Sequence, residues 1–331
     1  MGQSALRGGE RGLASVAVLS LLLLFAIGVF VLALAVGGLR GGVVDLLWGG
    51  GDPLVLKVVL ELRLPRALGA MAVGGLLSVA GVLMQTLLRN PLADPYILGL
   101  SGGAACGAIL ALLMGLSGLW VEGGAWLGAL LTMAVVFWLA GSSTGWDGSR
   151  LLLTGVVVAS GWGAGVSFLL YLVPDDRLRG ALFWIMGDLS RGSNPLVTWS
   201  VLGVVVAITW PLARSLNLLA TGSMRAAALG VAVGPLRILI YLLASLSAAA
   251  AVAAAGSIGF VGLVTPHLLR LLGCGDLRVL VPGSVLLGGG LLTLADLLAR
   301  SVVAPQQMPV GILTAMLGAP VFLWLLQRSS R

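Results

Sequence analysis

Charge is the scarcest feature of this sequence. Asp, Glu, Lys and Arg together make up 9% of its 331 residues, whereas hydrophobic residues make up 59%. An average soluble domain carries about 25% charged residues. So few charged residues give too little polar surface to cover the folded chain in water. Its apolar surface must therefore face lipid. The composition excludes an ordinary soluble protein and predicts an all-α polytopic membrane protein.

Residues that bind metals or phosphates are also rare. The two cysteines, Cys106 and Cys274, stand far apart and outside any Cys-x-x-Cys pair, and His267 is the only histidine. This pattern predicts neither a disulfide framework nor a metal site. The only lysine, Lys57, belongs to no Gly-x-x-x-x-Gly-Lys-Ser/Thr sequence, so the chain has no recognisable phosphate-binding loop for ATP. We expect no cofactor in this chain, and any ATP must be hydrolysed by a partner chain.

The formal net charge of +7 comes from basic residues that stand singly between apolar runs. Because nucleic-acid-binding proteins cluster such residues, we expect no nucleic-acid partner. We interpret them instead as topology signals, which concentrate in cytoplasmic loops. An even number of spans with the N-terminus inside puts both termini in the cytoplasm and most basic residues on that side. The outer side still keeps more arginines than orientation requires.

Apolar runs long enough to cross a bilayer recur to the end of the chain, separated by short polar breaks. None of the polar segments between these runs is long enough to fold alone as a soluble domain, so we expect residues 1–331 to form one transmembrane domain. The run at 257–272 is shorter than a full crossing needs and contains Pro266, which predicts a tilted, broken or re-entrant helix. We predict about ten transmembrane helices, at 13–36, 64–88, 95–114, 124–140, 151–173, 196–214, 237–256, 257–272, 280–298 and 308–327.

Two polar segments interrupt this pattern. Residues 174–194, on the predicted outer side, contain a short amphipathic helix at 178–188. Residues 217–236, on the predicted cytoplasmic side, read as two short helical pieces hinged at Gly230 and ended by Gly234-Pro235. Within the apolar runs, small-xxx-small spacings predict close helix packing at Gly99/Gly103, Gly103/Gly107 and Gly161/Gly165.

Several motifs along the chain resemble one family in their order and content. They are Arg-Leu-Pro-Arg at 63–66, Asn-Pro-Leu-Ala-Asp-Pro at 90–95, Gly-Phe-Val-Gly-Leu-Val-Thr-Pro-His at 259–267, Ala-Asp-Leu-Leu-Ala-Arg at 295–300 and Met-Pro-Val-Gly-Ile-Leu-Thr-Ala at 308–315. The sequence from about residue 60 onwards resembles the FecCD family, the permeases of ABC importers for ferric siderophores, haem and cobalamin.

The resemblance implies ten spans, a homodimer around a central pathway in the cytoplasmic (inner) membrane, two ATP-binding cassette ATPase subunits inside and a substrate-binding protein outside. The chain would then be a transport subunit and not an enzyme. Local similarity is somewhat closer to cobalamin permeases at 150–153 and 183–187, and the cargo stays open between cobalamin, ferric siderophore and haem.

The resemblance also implies site residues at both membrane faces. For binding-protein docking it implies the outer arginines Arg63, Arg66 and Arg300, since an arginine fork pairs with a carboxylate; snorkelling to lipid headgroups is the alternative. For the cytoplasmic gate it implies two inner loops, with ordinary helix caps as the alternative. The gate residues are Asn90, Leu92, Asp147, Gly148 and Ser149.

The segment 217–236 resembles the family's cytoplasmic coupling segment, which contacts the ATPase; an ordinary solvated loop is the alternative. Its two departures are Ser223, where many relatives carry Glu, and the arginine at 225. The predicted coupling residues are Ser223, Met224, Arg225, Ala226, Ala227, Ala228, Leu229 and Gly230. On the outer side, Trp184 and Met186 would flank the pathway entrance or anchor the helix at the membrane interface.

Two other functions compete with this one. An ion-coupled secondary transporter places ionisable residues near the membrane midplane, and Asp296 comes nearest to that position. An intramembrane serine protease would use Ser101, in a Gly-x-Ser-Gly sequence at 99–102, with His267 as its base.

Overall fold

A computed structural model describes residues 2–36, 53–141, 148–190, 194–302 and 306–329 of the chain. Within these ranges the chain is helical and connected by short turns. The first half contains α1 (Gly2–Ala35), α2 (Pro53–Leu88), α3 (Leu100–Leu113), α4 (Leu119–Ala140), α5 (Gly148–Leu172) and α6 (Asp175–Ile185). The second half contains α7 (Pro195–Thr209), α8 (Ala213–Ala220), α9 (Ser223–Ala228), α10 (Val233–Ala255), α11 (Val261–Leu271), α12 (Leu277–Ser301) and α13 (Val310–Ser329).

Each of the ten predicted runs contains a helix, but their lengths differ. Six described helices are long and apolar enough to cross a membrane, or seven if α7 and α8 form one span bent by 70°. The apolar parts of α3, α11 and α13 are shorter, at Leu100–Leu113, Val261–Leu271 and Val310–Leu325. At 1.5 Å per residue, the eleven residues of α11 reach only about 16 Å, roughly half of a bilayer core. The short run at 257–272 is therefore a short helix that follows an irregular stretch.

Helix α2 is the centre of the bundle. It continues without a break through a π-helical turn at Val59–Arg63, and 89% of its most apolar 18-residue stretch is buried. Helices α7, α10, α11 and α12 pack around it, and α1 packs mainly against α12. By contrast, only 22%, 28% and 11% of the most apolar stretches of α1, α4 and α5 are buried. The chain therefore has one well-packed core and three spans whose surfaces are largely uncovered, of which α5 is covered least.

Glycine makes the closest helix crossings possible. A Cβ atom on Gly81 of α2 would overlap the carbonyl oxygen of Gly262 in α11. Gly103 and Gly107 of α3 meet α4 in the same way, which confirms the predicted internal packing of that pair. Gly161 of α5 has open space around its Cβ position, so the Gly161/Gly165 spacing does not mark a second tight crossing.

The segment 217–236 differs in detail from its prediction. Its two short helices are separated at Gly222, whose φ is +129°, and not at Gly230. Gly230, with φ +84°, instead ends α9, because the amide of Val231 donates to the carbonyl of Ala226 across it. Pro235 does not end this segment: it lies in the first turn of α10, where a helix needs no N–H donor.

Candidate functional site

The three predicted docking arginines converge at one end of the bundle. Arg63 leaves the π-helical turn of α2 and donates to the carbonyl oxygens of Leu34 at 2.9 Å and Ala35 at 3.4 Å. Arg300, in the last turn of α12, donates to the carbonyl oxygen of Ala33. The last carbonyls of α1 have no partner within their own helix and carry partial negative charge. Two arginines from other helices thus cap the C-terminal end of α1.

Asp296 joins the arginines into one cluster. Arg66 donates to both of its carboxylate oxygens, through Nε at 3.0 and 3.1 Å and through Nη2 at 2.8 Å. Arg300 lies one helical turn beyond Asp296, with its Nε 4.0 Å from Oδ2. The Nη1 group of Arg66 donates to Gln307 at 2.8 Å. We call Arg63, Arg66, Arg300 and Asp296 the outer arginine cluster, after the side on which the sequence predicts it. Its three positive charges and one negative charge leave it positive.

These contacts explain part of the arginine surplus on this face. The exposed fractions of the Arg66 and Arg300 side chains are 13% and 14%, and Arg63 is buried. Arg177 likewise donates to the carbonyl oxygen of Leu112 at 3.0 Å and so caps α3. The arginines therefore bond mainly within the chain. A single sequence gives no signal for these caps, because their acceptors are backbone oxygens.

The first predicted gate loop is a tight turn at the opposite end of α2. Arg89 adopts a left-handed conformation, with φ +50°, and ends the helix. The side chain of Asn90 then accepts a 2.9 Å hydrogen bond from the amide of Leu92, whose side chain is 39% exposed. Asn90 therefore holds the shape of the turn, and Leu92 is the residue that the turn presents to its surroundings.

A buried carboxylate closes the same turn. Asp94 accepts a 2.7 Å hydrogen bond from the amide of Tyr96 and caps the 3₁₀ turn Pro95–Leu98. Its removal from water raises the pKa of this carboxyl to about 6, and the hydrogen bond from Tyr96 only partly opposes that rise. The sequence motif at 90–95 contains Asp94 but does not indicate that its carboxyl is buried.

The second predicted gate loop is only partly described. Asp147 lies outside the described residues, whereas Gly148 and Ser149 form the first residues of α5. A Cβ atom on Gly148 would lie 3.5 Å from Cδ2 of Leu88 at the end of α2. The start of α5 and the turn after α2 are therefore neighbours within one chain, as a shared constriction requires.

The predicted coupling residues form the short helix α9 and its C-terminal turn. Ala226 is buried beneath the helix, while the side chain of Met224 is 88% exposed and that of Leu229 is 65% exposed. Ser223 accepts a 2.5 Å hydrogen bond from Arg237 of α10, which ties the start of α9 to a long helix. The structure therefore presents apolar side chains on a short helix fixed to the bundle.

This segment lies on the same face as the gate. A Cβ atom on Gly222, just before α9, would lie 3.9 Å from Nη1 of Arg89. Next to it, α8 is tied to the start of α12, where Asn217 donates to the side chain of Asp276 at 2.8 Å. The gate and coupling residues are thus grouped at one end of α2 and the outer arginine cluster at the other.

The predicted entrance residues lie at the C-terminal end of α6, which confirms the short amphipathic helix but shifts it from 178–188 to Asp175–Ile185. Trp184 is buried, with 3% of its surface exposed, whereas Met186 is 41% exposed. A Cβ atom on Gly256 would overlap the carbonyl oxygen of Trp184, and one on Gly311 would overlap that of Met186. Trp184 is therefore packed against the linker between α10 and α11, and only Met186 reaches the surface.

The residues that the two competing functions would use lie in surroundings that do not suit those functions. Asp296 is buried in an ion pair with Arg66, so its charge is neutralised within the chain. The ring of His267 packs edge-on against that of Phe322, with 6.3 Å between centroids, and its Nε2 has no hydrogen-bond partner among the described residues. A serine nucleophile needs its base within hydrogen-bond reach, and Ser101 has no such contact with this imidazole.

Comparison with known proteins gives a consistent result. Over 318 residues the chain is 40% identical to the hemin transport system permease protein HmuU of Yersinia pestis, covering 91% of this chain and 93% of that protein. It is 38% identical to the vitamin B12 import system permease protein BtuC of Salmonella typhi, covering 82% and 84%. It is 42% identical to the uncharacterized ABC transporter permease protein YvrB of Bacillus subtilis, covering 86% and 82%.

A solved structure has the same fold. The inward-facing conformation of a metal-chelate type ABC transporter superimposes with a TM-score of 0.85 at 34% identity, covering 94% of this chain and 99% of that one. The model of the FecCD transport family matches residues 18–328. The chain therefore belongs to the FecCD transport family.

Proposed function

We propose that this permease carries a metal-chelate compound, either cobalamin, haem or a ferric siderophore, into the cytoplasm. The permease works with ATPase and binding-protein partners, and ATP is bound by the ATPase. The observation that carries the proposal is the likeness over most of the chain to a hemin permease and to a vitamin B12 permease. The superposition on a metal-chelate type transporter supports the same class of cargo.

The pathway is proposed to lie between two copies of this chain. Support comes from α5, whose apolar surface is left largely uncovered by the rest of the chain. Phe168 and Tyr171 near its end are 63% and 85% exposed. The turn after α2 lies against the start of α5, so Asn90, Leu92, Gly148 and Ser149 of both copies would close the cytoplasmic gate together with Asp147.

The proposed docking and coupling sites lie at opposite ends of α2. The outer arginine cluster would bind acidic side chains of the substrate-binding protein, and Met186 would flank the entrance beside Trp184. On the other face, Ser223–Gly230 would contact the ATPase through the exposed side chains of Met224 and Leu229. This arrangement requires both termini to be cytoplasmic, in agreement with Arg7 and Arg11 ahead of the first apolar run.

The test is uptake into proteoliposomes that hold the permease and its ATPase, with the binding protein outside. Cyanocobalamin, hemin and ferrichrome are supplied separately, and we expect ATP-dependent uptake of one of them. A second preparation carries an inactive ATPase whose phosphate-binding lysine is replaced. Continued uptake in that preparation would contradict an ATP-driven importer, and failure of all three compounds would contradict the proposed cargo class.

A further inference from the structure

Asp296 is the one acidic member of the outer arginine cluster, and docking to an acidic partner does not by itself explain it. It lies near the end of α12 with only 3% of its surface exposed. A buried carboxylate is costly unless it is paired. Here both oxygens accept hydrogen bonds from Arg66, while Nε of Arg300 lies 4.0 Å from Oδ2 without a hydrogen bond.

The geometry shows which part of Arg66 is left for a partner. A guanidinium has five N–H donors in a rigid plane. Asp296 takes Nε and one N–H of Nη2, and Gln307 takes one N–H of Nη1. Among the described residues this leaves one N–H on each terminal nitrogen. Arg66 is therefore held from one side and keeps donors on both terminal nitrogens for a second carboxylate.

We propose that Asp296 is a positioning residue for docking, which fixes the guanidinium group of Arg66 toward an acidic side chain of the substrate-binding protein. A long arginine side chain that is already ordered loses less conformational freedom on binding than a mobile one. The carboxylate does this while the cluster keeps a positive charge. The inference rests on the proposed docking role of the cluster.

The test compares binding kinetics of the substrate-binding protein with the complete importer in lipid nanodiscs. In Asp296→Asn, Arg66 loses its ionic partner but the side-chain volume is kept. We expect the dissociation rate to rise about tenfold, because the guanidinium is no longer held. The association rate should not fall, because removing a negative charge strengthens attraction of an acidic partner.

Asp176→Asn is the charge-matched control. The side chain of Asp176 is 75% exposed and lies 3.8 Å from Arg177, outside the cluster, so this variant should dissociate like the wild type. Thermal unfolding of each variant is measured in parallel. Lower stability of Asp296→Asn with unchanged kinetics would show a purely structural role and overturn the inference.

Two further variants separate the inference from the docking proposal. If Arg66→Gln weakens binding while Asp296→Asn does not, Asp296 is not a positioning residue although docking stands. If Arg66→Gln binds like the wild type, docking itself is wrong. Should Asp296→Asn fail to fold, Asp296→Glu replaces it: the carboxylate is kept but displaced by one methylene, and a dissociation rate equal to that of the wild type would overturn the inference.

Discussion

The guanidinium of Arg63 donates a 2.9 Å hydrogen bond to the carbonyl oxygen of Leu34, 29 positions earlier in the chain. A second bond reaches Ala35, and the arginine is 6% exposed. Arg63 therefore attaches the end of α1 to α2, whatever its role toward a partner. Hydrogen bonds to a charged group contribute about 1.5–3 kcal/mol. We expect Arg63→Ala to lower the free energy of unfolding by about that amount, as measured by thermal unfolding in detergent.

Arg179→Ala is the control for Arg63→Ala. Arg179 lies 5.6 Å above the ring of Phe183, and such an exposed contact contributes roughly 0.5–1 kcal/mol. The control should therefore unfold close to the wild type. An Arg63→Ala protein with wild-type stability would show that the cap of α1 contributes nothing to folding.

The crossing of α2 and α11 depends on Gly81. A methyl group there would overlap the carbonyl oxygen of Gly262 and lie 3.0 Å from its Cα, and backbone atoms cannot turn away as a side chain can. Forced overpacking costs about 1–3 kcal/mol, and we expect Gly81→Ala to lie at the upper end of that range. The measurement is the midpoint of thermal unfolding together with the yield of monodisperse protein.

Gly69 of the same helix provides the matched control. A Cβ atom there has nothing within 4 Å, so Gly69→Ala adds a methyl group in open space and replaces a poor helix former. It should leave stability unchanged or raise it by up to about 1 kcal/mol. Equal effects of the two substitutions would contradict the close crossing.

The helices could be predicted from sequence because apolar runs with polar breaks mark them directly. Their ends were less predictable. The predicted span 196–214 stops at Thr209, since Pro211 cannot donate a backbone hydrogen bond and the chain turns by 70° into α8. The spacing of Gly103 and Gly107 predicted close packing, but a spacing within one helix does not identify the facing helix.

The candidate site was also predictable only in part: its residues could be identified from sequence, but their contacts could not. The motifs indicate Arg66 and Arg300, and the structure brings both to Asp296, a residue whose sequence position suggests only the carboxylate of an ion-coupled carrier. The Arg66–Asp296 pair joins residues 230 positions apart, so no local pattern indicates it, whereas Arg300 stands only four positions after Asp296. The burial of Trp184 was missed for a similar reason, because tryptophan is equally common at the membrane interface and in packed cores.

Met224 is the side chain of α9 that we expect to matter most for coupling. A methionine that is 88% exposed on a short helix contributes little to folding but offers a flexible apolar contact to a partner. Met224→Ala should reduce ATP-driven uptake about tenfold without changing the unfolding midpoint. The matched control is Met114→Ala, since Met114 is 75% exposed after α3, near the capping contact of Arg177. Equal uptake by both variants would contradict the coupling role.

Asp94 should make the stability of the permease depend on pH. Its carboxyl has a pKa of about 6 in the folded chain and a lower, ordinary value of about 3.9 in the unfolded chain. Between these values the folded chain binds more protons than the unfolded chain, so stability falls as the pH rises. Below about pH 4 both states are protonated at this site and the penalty disappears, whereas above pH 6 the penalty is complete.

Asp94→Asn tests this origin directly. The amide oxygen can still accept the hydrogen bond from the amide of Tyr96, but the side chain no longer ionises. The unfolding midpoint of the wild type, measured in detergent from pH 4 to 7, should decline relative to that of the variant, which should be the more stable protein at pH 7. Parallel curves for the two proteins across this range would mean that Asp94 is charged at no cost, and its burial in the turn would then have no energetic consequence.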